Sequence, residues 1–254
     1  MSLHYRHAIL RQFPQSYAGL YAPRGIKIDL ALAASQHADY AQALREAGLN
    51  VAIVPPDEAY PDSVFVEDTA IVWGTQALIA RPKFSPRTGE EIGIAAVLER
   101  THELTRLPDG ATLEGGDVFS TEEATFVGLS ARTNEAGAEA LRQFMARLGR
   151  KTIIVPVTKC FHLKSAVTYL GDGTLALAPR LIGTEYFAGY DILEIEPANM
   201  IRIGQHVLML DGYPQAERTL EKFAAPRGLK MRKVSLTEFE KGDGSITCLS
   251  LLWG

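Results

Sequence analysis

The sequence has few cysteines and no long apolar stretch, and both absences narrow the class of protein. Cys160 and Cys248 are the only cysteines among 254 residues, which indicates free thiols in a reducing cytoplasm rather than a disulfide-stapled secreted scaffold. No run approaches the roughly 20 apolar residues of a membrane-spanning helix. Charged and histidine side chains interrupt residues 1–12, so we expect no signal peptide there.

An excess of charge of one sign is also missing. The formal net charge is −4, and the 22% of charged residues are of mixed sign along the chain. This pattern gives no electrostatic footprint for nucleic acid or for an anionic membrane surface. With 46% hydrophobic residues, the composition is that of an ordinary globular protein, and we expect a single domain over residues 1–254.

The sequence lacks the usual cofactor motifs. The glycine pair at 115–116 stands between Glu114 and Asp117, which place acids where a pyrophosphate would approach, so a nucleotide site is rejected. Cys160 and His162 have no second pair of ligands at zinc-site spacing, and we interpret Cys160 as a packing residue. We therefore expect neither a metal nor an organic cofactor.

A repeated order of elements is present instead: two short strands, a helix and a further strand. It is clearest where strands at 118–119 and 125–127 precede a helix at about 134–148, capped by Thr133 or Asn134, and a strand at 152–157. The same order is predicted over 70–104, with a helix at 90–104, over 167–195, with an undefined crossover, and over 200–234. A helix at 33–48 and a strand at 51–54 follow an initial strand at 7–12, and a terminal strand is predicted at 246–252.

The two terminal strands are able to complete one unit, which predicts a closed α/β ring of five ββαβ units. The alternative is a doubly wound sheet. That class needs a helix between nearly every pair of strands, and the repeated hairpins count against it.

Two residues have the chemistry of a nucleophile and a proton carrier. Cys248 follows the glycines at 242 and 244 at the predicted start of the terminal strand, although a lone cysteine is more often a small buried residue. His162 stands just before a predicted strand, where an imidazole serves as general acid and base or makes a structural hydrogen bond. Neither residue alone decides between these alternatives.

Acidic and guanidinium groups form a second set of candidates. Residues 61–68 (PDSVFVED) embed three carboxylates among apolar side chains, and buried acids need a partner. Arg87 and Arg132 lie in loop-like settings where a guanidinium fork suits a carboxylate ligand, although either also fits an ordinary surface residue.

Taken together, these strings resemble the dimethylarginine dimethylaminohydrolase family of the guanidino-modifying (pentein) superfamily. The resemblance runs from about residue 55 to residue 252 through five ordered motifs: 61–68 (PDSVFVED), 114–117 (EGGD), 130–134 (SARTN), 162–164 (HLK) and Asp243-Gly244 followed by Thr247-Cys248. It implies a five-bladed pseudo-symmetric α/β propeller, the fold of that superfamily.

The resemblance also implies a role for each matched residue. Cys248 corresponds to the nucleophile, His162 to the proton shuttle, Glu114 to its acidic partner at the substrate guanidinium, and Asp68 to a second guanidinium-binding carboxylate. The positions that bind the amino-acid part of the substrate or shape its pocket are Leu20, Asp62, Phe65, Glu67, Arg87, Arg132 and Gly242. Arg87 and Arg132 would grip the α-carboxylate, Leu20 and Gly242 would act through backbone carbonyls, and 17–27 would form a lid.

The implied reaction is hydrolysis of a methylated arginine to citrulline and methylamine or dimethylamine. Cys248 attacks the guanidinium carbon, His162 protonates the leaving amine, and water releases citrulline from a thiouronium adduct. The bound cation would favour the thiolate. The expected partner is this small-molecule substrate, with no nucleic acid and no membrane, in the cytoplasm, and a homodimer is an open alternative to a monomer.

Three other functions are alternatives to this interpretation. An arginine deiminase or amidinotransferase would use the same residues, but the short chain without inserted domains disfavours it. A non-catalytic ring-shaped binding factor of the same fold would not need Cys248, His162 and Glu114 together. A conventional cysteine peptidase ranks last, because its nucleophile usually lies at a helix N-terminus.

Overall fold

Fifteen strands of the described chain form five sheets of three strands each. The computed structural model describes residues 5–254, apart from the side chains of residues 20 and 21. In each sheet a central strand pairs antiparallel with one neighbour and parallel with the other. The predicted five-unit α/β architecture is confirmed.

The elements follow one another in a regular order along the chain. The strands are β1 (His7–Arg11), β2 (Asn50–Val54), β3 (Ala70–Trp73), β4 (Gln76–Ile79), β5 (Glu103–Arg106), β6 (Val118–Ser120), β7 (Ala124–Leu129), β8 (Lys151–Pro156), β9 (Val167–Gly171), β10 (Thr174–Leu177), β11 (Asp191–Glu194), β12 (Ile201–Ile203), β13 (His206–Leu210), β14 (Lys230–Val234) and β15 (Leu251–Trp253). The α-helices are α1 (Tyr17–Tyr21), α2 (Leu30–Glu46), α3 (Glu90–Leu98), α4 (Glu135–Arg147), α5 (Leu163–Ala166), α6 (Pro214–Ala224) and α7 (Thr237–Glu240).

The unit of β6, β7, α4 and β8 illustrates how the sequence forms each sheet. The strands β6 and β7 form a hairpin, α4 crosses over, and β8 lies parallel to β7. The helix begins after Asn134, whose side chain accepts a hydrogen bond from the amide of Gly137, as predicted for a capping residue. Its buried face includes Leu141 and Phe144, which cover the apolar side of the sheet.

The two ends of the chain meet in one sheet. The initial strand β1 pairs antiparallel with β15, where His7 faces Trp253, and parallel with β2, where His7 faces Asn50. The predicted closure by the terminal strands is therefore confirmed.

Five hydrophobic clusters join the sheets in succession around a ring. One cluster contains Leu251 and Ala70 and joins the terminal sheet to the sheet of β3. Another contains Leu208 and Leu10 and joins the sheet of β13 back to the terminal sheet. Because every sheet buries residues against both neighbours, burial of apolar area holds the ring together. Within residues 5–254, none of the helices is sufficiently long and apolar to cross a bilayer.

Two predicted elements differ from the structure, and one that the sequence left undefined is now described. The helix predicted over 90–104 ends at Leu98, because the amides of Thr101 and His102 both bond to the carbonyl of Leu98 and turn the chain into β5. The undefined crossover before β11 contains only a short 3-10 turn, Thr184–Phe187. The strand predicted over 246–252 was wrong in its first half, since residues 246–249 lie in turns and only β15 is extended.

Candidate active site

The candidate site lies at the turns that precede the first strand of successive units. Asp68 lies in a 3-10 turn before β3, and Glu114 precedes the turn that leads into β6. His162 is the residue before α5, which leads into β9, and Cys248 precedes β15. Repetition of the unit therefore brings residues from distant parts of the sequence to the same end of the ring.

His162 is buried among carboxylates. Its Nε2 lies 2.8 Å from Oε2 of Glu114 and 4.0 Å from Oδ1 of Asp68. Its ring lies so close to Gly116 that a Cβ there would be 2.4 Å from Nδ1. Burial alone lowers the pKa of His162, but Asp68, Glu114 and Asp117 together raise it above the ordinary value. The carboxylates thus favour the protonated imidazole.

Arg87 and Asp68 form a buried ion pair beside this histidine. The Nη1 atom of Arg87 donates to Oδ2 of Asp68 at 2.8 Å, and Nη2 donates to the carbonyl of Phe65 at 3.1 Å. Its Nε and Nη2 also meet Glu90. Burial favours neutral Asp68, but His162 and Arg87 lower its pKa to about 2. Asp68 is therefore ionised at neutral pH.

Glu114 is completely buried and receives several donors. Its Oε1 accepts from the amide of Lys83 at 3.1 Å and lies 3.7 Å from Nη1 of Arg132. Arg132 is half-buried, and its guanidinium lies 4.1 Å from the ring centre of Phe161 and 5.4 Å from that of Phe84. Both rings are exposed, so Arg132 stands between them at the mouth of the site.

Cys248 lies in a turn and not at the start of a strand, which corrects the predicted setting. Its amide donates to the carbonyl of Ser245 at 3.1 Å, and its carbonyl accepts from the amide of Glu67 at 3.2 Å. Burial, and then the charges of Glu67 and Asp68, raise the pKa of the thiol to about 12. At neutral pH the thiol of the free protein is protonated.

Glu67 uses both carboxylate oxygens within the protein. Lys164 donates to Oε1, and the hydroxyl of Thr247 donates to Oε2 at 2.8 Å. Burial raises the pKa of Glu67 even though Lys164 opposes it. Glu67 is therefore hydrogen-bonded to the turn of Cys248 through the hydroxyl of Thr247.

Phe65 and Asp62 lie on the side of α1. The Phe65 ring is buried, and its centre lies 6.1 Å from the centre of the Tyr17 ring. A Cβ at Gly244 would be only 2.2 Å from the Phe65 ring. Asp62 is half-buried, and its carbonyl accepts from the amide of Phe65 at 3.0 Å. The predicted lid at 17–27 therefore begins at a residue that touches the site.

The remaining two predicted residues are placed by their backbones. Gly242 follows α7, and its amide donates to the carbonyl of Phe239 at 3.0 Å. Leu20 belongs to α1, and its side chain lies outside the described part of the chain. No contact that the structure describes joins either residue directly to His162 or Glu114.

The sequence analysis missed Glu90 and gave no role to Asp117. Glu90 lies three residues after Arg87 and forms a second ion pair with it, a spacing that was readable in the sequence. Asp117 accepts from the hydroxyls of Ser130 at 2.6 Å and Thr133 at 2.7 Å, and from the amide of Leu163 at 2.9 Å. It thereby ties the turn of Arg132 to the segment of His162.

The cluster of Asp68, Glu114 and His162 is suited to a cationic ligand. One ligand atom of each lies within 4.8 Å of the other two, a spacing that metal sites also show. Both oxygens of Asp68 already accept hydrogen bonds, from Arg87 and from the amide of Gly116, which leaves this carboxylate fewer lone pairs for a metal ion. The remaining carboxylate lone pairs are suited to the N–H groups of an organic cation.

Comparison with known proteins gives consistent matches. A family model described as N,N dimethylarginine dimethylhydrolase, eukaryotic, matches residues 23–172. The N(G),N(G)-dimethylarginine dimethylaminohydrolase of Pseudomonas aeruginosa is 33% identical and covers 97% of this chain and 99% of its own. The one of Streptomyces coelicolor is 35% identical over 89% of this chain and 87% of its own. The structure of a cysteine-to-serine variant of the Pseudomonas aeruginosa enzyme with citrulline superposes with a TM-score of 0.91 at 32% identity, covering 98% of this chain and 100% of that one.

Proposed function

The chain belongs to the N(G),N(G)-dimethylarginine dimethylaminohydrolase family, and from this premise we propose that it hydrolyses Nω-methylated L-arginine to L-citrulline. The observation that carries the proposal is the buried cluster of His162, Glu114 and Asp68, to which the turn of Cys248 is tied through Glu67. A planar cation in this cluster would meet acceptors on its edge and a sulfur at its face.

The carboxylates hold the substrate guanidinium in place. Glu114 and Asp68 accept its N–H groups and restrict rotation of the planar group, so the central carbon is presented to Cys248. Burial, and then the negative charges of Glu67 and Asp68, raise the pKa of the Cys248 thiol in the free protein. When the cation binds, it offsets that charge and favours the thiolate, so the nucleophile forms only in the presence of substrate.

The first chemical step exchanges nitrogen for sulfur on the guanidinium carbon. The Cys248 sulfur forms a C–S bond, and the C–N bond to the methylated nitrogen breaks. The departing methylamine or dimethylamine takes its proton from His162, whose pKa is raised by the facing carboxylates after the opposing effect of burial. An S-alkylthiouronium adduct remains on Cys248.

The second step returns the enzyme to its starting state. His162, now neutral, accepts a proton from water, and the hydroxide forms a C–O bond to the adduct carbon. The C–S bond then breaks, the proton of the added hydroxyl group passes to the departing sulfur, and the products are the ureido group of citrulline and the protonated thiol of Cys248. The proton that the thiol loses when substrate binds goes to solvent, and the released amine takes up a proton from solvent, so the cycle balances. The proposal uses no metal or organic cofactor.

The other matched residues are proposed for the amino-acid part of the substrate. Arg132 is the more accessible cation for the α-carboxylate, while Arg87, which is held by Asp68 and Glu90, adds positive potential beside it. Asp62 and the backbone carbonyls of Leu20 and Gly242 would meet the α-amine. Phe65 and Glu67 shape the pocket from behind.

The compartment and the assembly state complete the proposal. Cys160 and Cys248 are free thiols, and a thiol nucleophile has to stay reduced, which supports a cytoplasmic location. The assembly state is either a homodimer or a monomer, and sedimentation velocity distinguishes the two. Fractionation of cells that produce the tagged protein tests the compartment.

The deciding experiment is citrulline release from asymmetric dimethylarginine, monomethylarginine and arginine. The wild-type protein should turn over the methylated substrates, Cys248→Ser should not, and Cys160→Ser should serve as the matched control with near wild-type activity. Turnover of arginine alone would move the chain to deiminase chemistry. No turnover by the wild-type protein would favour a binding role and contradict the proposal.

A further inference from the structure

The unit of β12, β13 and β14 contributes a residue that the proposed mechanism does not use. Four of the turns before a first strand contain Asp68, Glu114, His162 and Cys248. The turn before β12 contains Asn199, which is 5% exposed. A buried carboxamide needs partners for its oxygen and its nitrogen, so its contacts decide what it does.

Asn199 joins two segments of the candidate site. Its Oδ1 accepts from the amide of Thr247 at 3.1 Å, and its Nδ2 donates to the hydroxyl of Thr247 at 3.1 Å. The same Nδ2 donates to the carbonyl of Lys164 at 2.9 Å. Thr247 directly precedes Cys248, and Lys164 is two residues after His162. One side chain therefore spans the nucleophile segment and the proton-shuttle segment.

The hydroxyl of Thr247 extends this connection. It accepts from Asn199 and donates to Glu67 at 2.8 Å, while the amide of Glu67 holds the carbonyl of Cys248 at 3.2 Å. The turn of Cys248 is thus held by two buried residues, Asn199 and Glu67. A shift of about 1 Å between attacking atom and substrate costs on the order of 100-fold in rate, so such constraint has a direct effect on catalysis.

We propose that Asn199 is a positioning residue that, through Thr247 and Lys164, holds the thiol of Cys248 at its working distance from His162. This inference rests on the proposed function and deepens it. Asn199 lies behind the turn and contacts its backbone and the Thr247 hydroxyl, so its effect belongs to kcat and not to substrate binding.

The test compares two variants of Thr247, one that loses the hydroxyl group of the side chain and one that loses its methyl group. Thr247→Val removes the hydroxyl and keeps the shape, whereas Thr247→Ser keeps the hydroxyl. Thr168→Val is the matched control, because Thr168 is a buried threonine whose hydroxyl donates to the carbonyl of Ala198 at 2.6 Å, next to Asn199. Asn199→Ala removes the whole connection, and the threonine variants keep the test decisive if that protein fails to fold.

Thr247→Val should lower kcat for asymmetric dimethylarginine roughly 10- to 100-fold with KM within about threefold, and Thr247→Ser should restore most of it. Unchanged kcat in Thr247→Val would overturn the proposal. So would an equal loss in Thr168→Val, which would show general loosening, or an equal loss in Thr247→Ser.

The outcome stays separable from that of the proposed function. If the wild-type protein releases no citrulline, the proposed function fails, and iodoacetamide labelling of the peptide that contains Cys248 replaces turnover as the readout. A labelling rate that changes about threefold or more in Thr247→Val but not in Thr247→Ser would still support the positioning role. Equal rates in the two variants would overturn it.

Discussion

Glu67 and Asp68 are adjacent in sequence and both buried, yet they lie in two regions with different electrostatics. Asp68 faces Arg87 and His162, which outweigh burial and lower its pKa to about 2. Glu67 faces one lysine and one hydroxyl, and burial raises its pKa. The number of cationic partners therefore decides whether a buried carboxylate is a strong anion.

This difference separates a carboxylate that is proposed to bind substrate, Asp68, from one that holds the turn of Cys248 in place, Glu67. Asp68 keeps a negative charge on the side of His162, where the proposed substrate cation would bind. Glu67 forms an ion pair with Lys164. It is hydrogen-bonded to the turn of Cys248 through the hydroxyl of Thr247 and through its own backbone amide. The predictions below change one region at a time.

The largest effect is expected from Asp68→Asn. Loss of the charge removes a guanidinium acceptor and leaves Arg87 without one of its partners, so kcat/KM for asymmetric dimethylarginine should fall about 10²- to 10³-fold. Steady-state citrulline release measures it, with the exposed Asp109→Asn as control. A loss below tenfold would mean that Asp68 does not hold the substrate.

Arg87→Leu should be the most damaging change to stability. It leaves Asp68 and Glu90 buried without their cation, and breaking a buried ion pair in this way costs about 3–5 kcal/mol in the free energy of unfolding. Urea unfolding followed by fluorescence measures the loss against Arg100→Leu at an exposed position. Equal stability of the two variants would contradict the role given to this pair.

Glu67→Gln should have a moderate effect. The amide still accepts from Thr247, but Lys164 loses its anionic partner, and we expect kcat to fall roughly tenfold with little change in KM. Separate determination of kcat and KM checks this. A large rise in KM with unchanged kcat would instead place Glu67 among the residues that bind substrate.

The smallest effect concerns the thiol itself. Because the pKa of Cys248 is raised to about 12, its labelling by iodoacetamide without substrate should be slow at pH 7 and keep rising through pH 10. Removal of either charge, by Glu67→Gln or Asp68→Asn, should shift the profile to lower pH, and Glu67→Gln should shift it further. A wild-type plateau below pH 8 would contradict the raised pKa.

The sequence predicted the ring because its strand and turn pattern repeats, and each repeat is a local signal. It missed the end of α3, since the residues from Glu99 to Leu104 continue the helical pattern until the amides of Thr101 and His102 close on Leu98. It also placed Cys248 in a strand, because the turn is fixed by contacts with Glu67, far away in sequence. Local hydrogen bonds decided the first case, and a tertiary contact decided the second.

The candidate site was predictable only in part for the same reason. Cys248, His162, Glu114 and Asp68 are reactive residue types in matched motifs, and the sequence singled them out. Asn199 is an ordinary polar residue whose importance comes from three partners in two distant segments. Aligning the five repeats by the turn before the first strand would have pointed to its position.

The central claim is that Cys248 displaces the methylated amine and carries the remaining carbon skeleton as a thiouronium. The most direct measurement is mass spectrometry of the Cys248 peptide after acid quenching during turnover of asymmetric dimethylarginine and, separately, of monomethylarginine. Because the methylated nitrogen has left, both substrates should give an adduct of identical mass on Cys248. Adducts that differ in mass by the methyl groups, or their absence while citrulline is formed, would contradict the account.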